Sequence, residues 1–342
     1  MVKKIKGVGI GAGYFSPFQY EAWQRIPEVE ITAMCNRNLE KATPYMKKYG
    51  IARHYMDYRE MIEKEKPDFV DIITPPETHF EMTKFAADRG INVICQKPLA
   101  PTFDEGKKIV EYAKQAGIRF MVHENWRFQP WYREIKKLVQ NEEIGNIHLM
   151  NWRKRMGDGW GENAYIPRQP YFRDYPRLIV YENGIHFIDT FRYLGGEISR
   201  VFAYLKKLNP VIKGEDFALV NFEFAYSDTL AVWDANRYNE PNYENPRFTF
   251  GEFQMDGMEG TIRLYSNGKI TIQKLGKPEK EHPYKMQAIN FAGDCVFATQ
   301  RHFIDCLLNG SEFETNGFDY LKSLAVQEAV YKSANTGMPE LV

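Results

Sequence analysis

The sequence predicts an α/β protein in which a doubly wound parallel sheet is followed by an α+β domain with a large, mostly antiparallel open sheet. Over residues 1–122, short apolar segments alternate with helix-like segments, as expected for parallel strands buried on both faces. From residue 123 onward, alternating strands are joined by turn signals. The 342 residues agree with two domains, 1–122 and 123–342, and the last helices are candidates to pack back on the first domain.

The N-terminal pattern predicts five strands and five helices. The strands lie at 5–10, 29–35, 69–74, 91–95 and 119–123, and the helices around 18–25, 39–49, 59–65, 78–89 and 103–116. Ligands of doubly wound sheets bind at the carboxyl ends of the strands. The segments that fall at this edge are Gly11–Gly13, Thr74-Pro75-Pro76 and Gln96-Lys97-Pro98.

The C-terminal pattern begins with a helix at 131–140 and a strand at 147–152. An arginine-rich and aromatic-rich loop (153–177) and an amphipathic helix (179–194) follow. Strands are then predicted at 200–208, 217–224, 230–236, 248–255, 261–265 and 269–273, before closing helices at 291–308 and 318–336. Ser266-Asn267-Gly268 is typical of a tight hairpin turn.

Composition excludes several classes of function. Lys+Arg and Asp+Glu both number 45, so no overall basic excess favours nucleic acid or an anionic membrane as a partner. No segment approaches the roughly 18 consecutive apolar residues of a membrane span. The four cysteines are scattered without a CxxC pair, which favours a reducing compartment, and we expect a cytoplasmic protein.

The first motif is Gly11-x-Gly13-x-x-Ser16, directly after an apolar strand and before a helix. The first glycine permits a tight turn, and the second lets the backbone approach a pyrophosphate at the helix N-terminus. In this strand–turn–helix context the motif predicts a dinucleotide-binding (Rossmann) domain. Tyr14 and Phe15 lie in the same loop and are predicted cofactor contacts.

The end of the second strand carries Asn36 and Arg37 where an acid would ordinarily bind the adenosine ribose. Asparagine can still bond a ribose hydroxyl without repelling a 2′-phosphate, and Arg37 could pair with that phosphate. Arg37 could equally point into solvent. The choice between NAD and NADP therefore stays open.

Lys97 and a row of residues in the helix at 179–194 are candidates for proton transfer. Lys97 follows a buried strand, and its place at the ligand-binding edge distinguishes it from an ordinary surface lysine. In the helix at 179–194, Glu182, His186 and Asp189 are spaced to share one face, with Gly184 leaving that face open to a ligand. The sequence has no HExxH and no evident third ligand, so we expect no metal.

These motifs together resemble the glucose-fructose oxidoreductase, inositol dehydrogenase and rhizopine catabolism (Gfo/Idh/MocA) family over nearly the whole chain. The matching segments are 8–13, 71–76 with Thr78-His79, 96–98, 125–128, 184–189 and 257–261. The resemblance implies a Rossmann domain, a second domain whose open sheet commonly forms a homodimer or homotetramer, and hydride transfer between NAD(P) and a sugar or polyol carbon.

Carried over by position, the resemblance implies that Lys97 is the lysine of a Glu-Lys-Pro motif and that His186 is the acid/base on the substrate hydroxyl. Glu182 falls where the family often has aspartate, and Gln96 replaces the glutamate before the lysine. The further predicted cofactor contacts are Thr74, Pro75, His79 and Gln96. The predicted substrate contacts are Trp126, Arg127 and Asp189.

The loop at 153–177 suggests a substrate class. Arg168 and Arg173, beside Pro167, Gln169 and Tyr171, are candidates to clamp the carboxylate of a sugar acid. A solvated loop that contacts another subunit explains the same composition. The sequence therefore leaves the two interpretations open.

We therefore expect an NAD(P)-dependent oxidoreductase acting on a sugar, polyol or sugar acid. One alternative is a redox-neutral hydrolase or isomerase that keeps its NAD, which retained nicotinamide and no net absorbance change would reveal. The other is a catalytically inactive dinucleotide-binding regulator, against which Lys97 and His186 argue.

Overall fold

A computed structural model describes residues 4–342, and within this range the chain forms two compact units. The first unit comprises residues up to 125 together with 296–322. The second comprises 126–295 and 323–342. None of the helices in the described range is both long and apolar enough to cross a membrane.

The first unit contains a parallel sheet with six strands among the described residues, in the order β3-β2-β1-β4-β5-β6. They are β1 (Ile5–Ile10), β2 (Val29–Cys35), β3 (Arg53–Tyr55), β4 (Phe69–Ile72), β5 (Asn92–Cys95) and β6 (Phe120–Val122). This confirms the predicted doubly wound fold class. The edge strand β3 was not predicted, because three polar residues carry no detectable periodicity.

Helices join these strands: α1 (Ser16–Gln24), α2 (Leu39–Tyr49), α3 (Tyr58–Glu65), α4 (His79–Ala87) and α5 (Phe103–Gln115). Asn38 caps α2 by accepting from Lys41 N at 3.1 Å. Much of helix α8 (Cys295–Asn309) also belongs to this unit. The Phe303 ring of α8 lies 5.3 Å from Phe69 of β4, whose ring lies 4.9 Å from Trp23 of α1. These three aromatic rings form part of the core on one face of the sheet.

The second unit contains a sheet with nine strands among the described residues, in the order β14-β13-β12-β11-β7-β10-β9-β8-β15. They are β7 (Ile147–Arg155), β8 (Ile198–Lys206), β9 (Phe217–Phe224), β10 (Leu230–Asn236), β11 (Glu252–Gly257), β12 (Gly260–Leu264), β13 (Ile270–Lys274), β14 (Lys280–His282) and β15 (Glu340–Leu341). Only the β7–β10 pair is parallel among these described strands. The predicted large, mostly antiparallel sheet is therefore confirmed.

Three helices accompany this sheet: α6 (Pro130–Gln140), α7 (Ile185–Gly195) and most of α9 (Gly317–Thr336). Helix α7 packs on the inner face of the sheet, where its Phe187 ring lies 4.1 Å from Trp152 of β7. The residues before α7, Ile179–Gly184, form a π-helical turn rather than the predicted continuous α-helix. Glu215 holds the start of this turn, accepting from Leu178 N and Val180 N at 3.1 Å each.

Candidate active site

The glycine loop after β1 has the shape that a pyrophosphate requires. Gly11 has φ +125°, and a Cβ there would lie 2.4 Å from the Ile73 carbonyl oxygen, so only glycine fits. A Cβ at Gly13 would have no neighbour within 4 Å, which leaves that side of the loop open. Gly13 N donates to Ser16 Oγ (2.9 Å) at the start of α1. The loop and helix N-terminus therefore fit the phosphates of a dinucleotide.

Next in this loop are the two predicted aromatic contacts. Tyr14 is 42% exposed, whereas Phe15 is half-buried and lies 6.3 Å, edge to face, from the His123 ring. Phe15 also lies 5.2 Å from Phe18 on α1. Tyr14 is therefore the more accessible of the two.

The end of β2 presents the polar residues predicted to select the cofactor. Asn36 Oδ1 accepts from Asn38 N at 2.8 Å, and the Asn36 carbonyl accepts from His54 Nε2 at the same distance. Arg37 is exposed and makes no ion pair among the described residues. The loop geometry is thus fixed by Asn36, while the Arg37 guanidinium remains available to a ligand.

The loop after β4 is braced by His79. This histidine is completely buried, with Nε2 2.8 Å from the Thr74 carbonyl and Nδ1 2.9 Å from the Leu99 carbonyl. Burial lowers the pKa of His79, while the two carbonyl contacts oppose that shift. His79 was predicted to contact the cofactor, but its two ring nitrogens face protein carbonyls. Its geometry therefore suits a brace between the loop that holds Thr74 and Pro75 and the loop that follows Lys97.

A buried polar network lies under the same edge, and sequence reasoning missed it. Asp71 of β4 is fully buried and accepts from Gln19 Nε2 at 2.9 and 3.0 Å and from Trp23 Nε1 at 2.7 Å. Gln19 Oε1 in turn accepts from Gln96 Nε2 at 2.8 Å, and Gln96 Oε1 accepts from Lys97 N at 2.8 Å. Burial raises the pKa of Asp71 to about 7.

This network explains the glutamine found where the family motif has glutamate. Gln19 uses its amide nitrogen on Asp71, so its oxygen needs a donor, which the Gln96 amide supplies. A carboxylate at position 96 could not donate when ionised. Gln96 therefore positions the backbone of the half-buried Lys97 through the amide of Gln19.

The second unit presents His186 at the start of α7, inside a cluster of aromatic rings. The Trp126 ring stacks on His186 with centroids 4.6 Å apart and planes 2° from parallel. Trp126 also lies 4.8 Å from Phe187 and 4.4 Å from Phe250. We call Trp126, His186, Phe187 and Phe250 the aromatic cluster. Its four side chains are buried, so the rings hold the His186 imidazole in one orientation.

Arg127 and Asp189, both predicted to bind substrate, form a buried ion pair with each other. Arg127 donates to both carboxylate oxygens of Asp189, at 2.8 and 2.6 Å, and their side chains are 7% and 0% exposed. Ser323 Oγ also donates to Asp189, at 3.3 Å. The ion pair ties the turn carrying Trp126 to the helix carrying His186, so its geometry supports positioning rather than substrate contact.

Glu182 belongs to a second buried network, again missed from the sequence apart from Glu182 itself. Asn183 Nδ2 donates to Glu182 Oε2, and Asn183 Oδ1 accepts from Lys154 Nζ at 2.5 Å and from Arg237 Nη1 at 3.0 Å. Arg237 also donates to Asp158 at 3.1 and 2.5 Å. We call Lys154, Glu182, Asn183, Arg237 and Asp158 the charged cluster.

The π-turn changes the predicted helix face around these groups. Glu182 lies in the π-turn and His186 in the α-helix, so the regular four-residue spacing does not describe their relation. The expectation that Gly184 leaves the face open to a ligand is wrong. A Cβ at Gly184 would lie 3.1 Å from the Trp233 ring, so the glycine is needed for close packing there.

The two arginines of the predicted carboxylate clamp have different surroundings in the structure. Arg168 pairs with Asp158 at 3.2 Å, beside the Arg237 pair. Arg173 ends a short 3-10 turn, Pro170–Arg173, and is half-buried. Within residues 4–342, no group of three or more His, Cys, Asp or Glu side chains is arranged to hold a metal ion.

Comparison with known proteins places these features in a family. Residues 5–124 match the model of the Gfo/Idh/MocA oxidoreductase family with an NAD-binding Rossmann fold, and residues 132–263 match its C-terminal domain. D-apiose dehydrogenase of Paraburkholderia graminis is 33% identical, with 98% of this chain and 89% of that protein covered. D-apiose dehydrogenase of Rhizobium rhizogenes is 30% identical, with 98% and 96% covered.

A solved structure is similar over the whole fold. An oxidoreductase from Agrobacterium radiobacter, in complex with NAD+, L-tartaric acid and magnesium, has a TM-score of 0.89 and 29% identity. The match covers 98% of each chain. Both units thus have counterparts in one solved protein.

Proposed function

Because the chain belongs to the Gfo/Idh/MocA family of NAD-binding oxidoreductases, we propose that it oxidises a hydroxyl-bearing carbon of a small sugar with NAD(P). D-apiose is our first candidate substrate, because two relatives of that name match 98% of the chain at 33% and 30% identity. The observation that carries the proposal is His186 stacked on Trp126, with Glu182 in the turn before it.

In the proposed reaction, His186 takes the proton of the substrate hydroxyl as the carbonyl forms. Bound nicotinamide supplies the acceptor for the hydride that leaves the same carbon. Glu182 accepts hydrogen bonds from further sugar hydroxyls, and the Trp126 ring, stacked on His186, keeps the imidazole in position. Lys97, held at its backbone by Gln96, contributes a positive charge that stabilises a developing oxyanion.

A sugar acid remains the second candidate substrate. The guanidinium groups of Arg237 in the charged cluster and of Arg168 beside it favour it, because guanidinium groups bind carboxylates well. L-tartaric acid in the similar Agrobacterium radiobacter oxidoreductase is in keeping with a carboxylate ligand. Arg168 is engaged with Asp158, so Arg173, which makes no ion pair among residues 4–342, is the member of the predicted clamp that is left for a carboxylate.

The proposal is tested by following absorbance at 340 nm with NAD+ and NADP+, each with D-apiose, neutral polyols and aldonic acids. We expect NAD(P)H formation with D-apiose or another small sugar. Product formation without net absorbance change, together with nicotinamide retained through purification, would favour the redox-neutral reaction instead. Cofactor binding without any turnover on the panel would contradict the proposed activity.

Two finer points complete the proposal. We propose a homodimer or homotetramer through the outer face of the nine-stranded sheet, which carries exposed Tyr204 and Leu230, and sedimentation of the purified protein would measure it. A cytoplasmic location is supported by the four cysteines, which are buried and form no disulfide with one another: Cys35, Cys95, Cys295 and Cys306.

A further inference from the structure

Lys154 is a lysine in a position that ordinarily belongs to an apolar residue. On β7, alternate residues Met150, Trp152 and Lys154 point to the inner face of the sheet, and they are 0%, 0% and 1% exposed. Burying an amine away from water is costly unless its hydrogen bonds are replaced. A lysine at the end of this buried row therefore needs a partner.

The protein itself supplies only part of that partner. Lys154 Nζ donates one hydrogen bond, to Asn183 Oδ1, which also accepts from Arg237. Within residues 4–342 the Lys154 side chain makes no ion pair and no second hydrogen bond. Whether it is an ammonium or a neutral amine, at least one N–H is left without an acceptor.

The surroundings of Lys154 give no replacement for that acceptor. Its Nζ lies 5.3 Å from the centre of the Phe187 ring and 5.9 Å from that of Phe250. The Asp158 carboxylate is bound by Arg237 and Arg168, and Glu182 is bonded by Asn183. Burial, and after it the nearby Arg237 guanidinium, lower the pKa of Lys154 well below the ordinary value for lysine.

The unmet donor lies beside the residues proposed for catalysis. Phe187 and Phe250, which flank Lys154, both contact Trp126, and Trp126 stacks on His186. Asn183, the single hydrogen-bond partner of Lys154 Nζ in the described chain, is bonded to Glu182. Lys154 therefore belongs to the same side-chain assembly as His186 and Glu182.

We propose that Lys154 is a substrate-binding residue, which donates its remaining N–H to an electron-rich oxygen of the substrate. That oxygen is either a hydroxyl of a neutral sugar or a carboxylate oxygen of a sugar acid. The inference rests on the proposed function, because it places the substrate beside His186. It also makes Lys154 a determinant of specificity, because a substrate without an oxygen at that place leaves the donor unpaired.

Lys154→Met tests the assignment, since methionine keeps a similar length and removes the donor. We expect kcat/KM for D-apiose, or for whichever sugar is turned over, to fall about 10- to 100-fold, the scale of a hydrogen bond to a charged or buried group. The Kd of NADH, measured by its fluorescence, should stay within about twofold, because Lys154 is assigned to the substrate. Lys206→Met, an exposed lysine on β8 near the Phe217 ring, is the matched control.

Binding of succinate, a dicarboxylate without hydroxyls, to the NADH complex, measured by calorimetry, separates the two sources of oxygen. If the oxygen is a carboxylate, Lys154→Met weakens succinate binding as much as it weakens turnover. If it is a hydroxyl, turnover falls and succinate binding does not. Loss of neither would overturn the proposal.

The melting temperature of the substrate-free protein tests the role of Lys154 separately from the proposed dehydrogenase activity. A lysine kept for structure would make Lys154→Met less stable than the parent protein, and that result overturns the proposal whatever the substrate. A donor kept for substrate predicts an unchanged or higher melting temperature, because methionine removes an unmet polar group. If the parent protein oxidises no sugar, the proposed function fails, and the melting temperature still decides the role of Lys154.

Discussion

Each unit buries a charge-bearing side chain that has no ion pair among residues 4–342, an acid in the first unit and an amine in the second. Gln19 and Trp23 donate three hydrogen bonds to the carboxylate oxygens of Asp71 in the first unit. Within the same residues, Lys154 Nζ in the second unit makes one hydrogen bond. In both cases burial shifts the pKa toward the neutral form, up for the acid and down for the amine.

The difference between these groups indicates their roles. A buried polar group whose hydrogen bonds are satisfied by the chain stabilises one arrangement of the scaffold. The Asp71–Gln19–Gln96 network does this for the backbone of Lys97. A buried donor that the chain leaves unmet is costly to the folded protein, and a ligand can supply what is missing. The complete network around Asp71 is therefore in keeping with support of the scaffold, and the incomplete one around Lys154 with the substrate contact proposed for it.

The first test of this distinction breaks the buried Arg127–Asp189 ion pair in the second unit. Asp189→Asn leaves Arg127 buried without a charged partner, which typically costs about 3–5 kcal/mol of unfolding free energy. Urea unfolding measures the loss. The matched control is Glu223→Gln, which removes the exposed partner of Arg200 and should cost less than about 1 kcal/mol. Equal losses in the two variants would contradict a supporting role for Asp189.

A pH series tests the corresponding network in the first unit. The pKa of Asp71 is about 7 in the folded protein, against an ordinary value of 3.8, so the folded state keeps a proton that the unfolded state has released. The contribution of Asp71 to stability is therefore full below about pH 4 and lost as pH rises to about 7. A shift of this size is worth at most about 4 kcal/mol.

Asp71→Asn isolates that contribution, since asparagine does not titrate. We expect the unfolding free energy of the parent protein, minus that of the variant, to decrease between pH 5 and pH 8. Glu65 does not interfere, because its pKa of about 2 places its titration below this range. A difference that stays constant with pH would show that Asp71 is ionised throughout.

If the first unit binds the cofactor and the second supplies the acid–base group, a variant in the second unit should lose turnover without losing cofactor affinity. His186→Ala should lower kcat at least ~100-fold, the usual scale of general acid–base help, while the NADH affinity set by the first unit is kept. Steady-state rates and NADH fluorescence measure the two effects. His148→Ala, on the exposed start of β7, is the control and should retain the parent rate. Normal turnover in His186→Ala would remove this residue from the mechanism.

The same comparison shows what could be predicted from the sequence. Apolar periodicity located both sheets and gave α2, β9 and β10 with the bounds that the structure has. The family, the fold class and the NAD(P) cofactor class are confirmed. Gly11 and Gly13 could be placed in the fold from their motif, because the backbone geometry of a glycine loop depends on residues that are close in the sequence.

There is a physical reason why the sequence predictions overlooked several residues of the site. The strand that became β7 was predicted to end at 152, because the charges at 153–155 resemble a loop; Lys154 therefore fell outside the sheet. Periodicity could not detect the π-turn either, because a single inserted residue shifts the phase without changing the composition. Asp71, Gln19 and Arg237 meet their partners only through tertiary contacts, which one sequence does not reveal.

The smallest expected effect concerns an exposed charge in the first unit. Arg37 at the end of β2 is available to a 2′-phosphate, and no acid pairs with it in the described residues. Arg37→Ala should raise the Kd of NADPH up to about 10-fold and that of NADH less than about twofold, because only NADPH carries the phosphate. Lys47→Ala, an exposed cation on α2, is the control for the general loss of positive charge. Equal weakening of the two cofactors by Arg37→Ala would mean that Arg37 faces solvent and that Asn36 and the backbone alone set the preference.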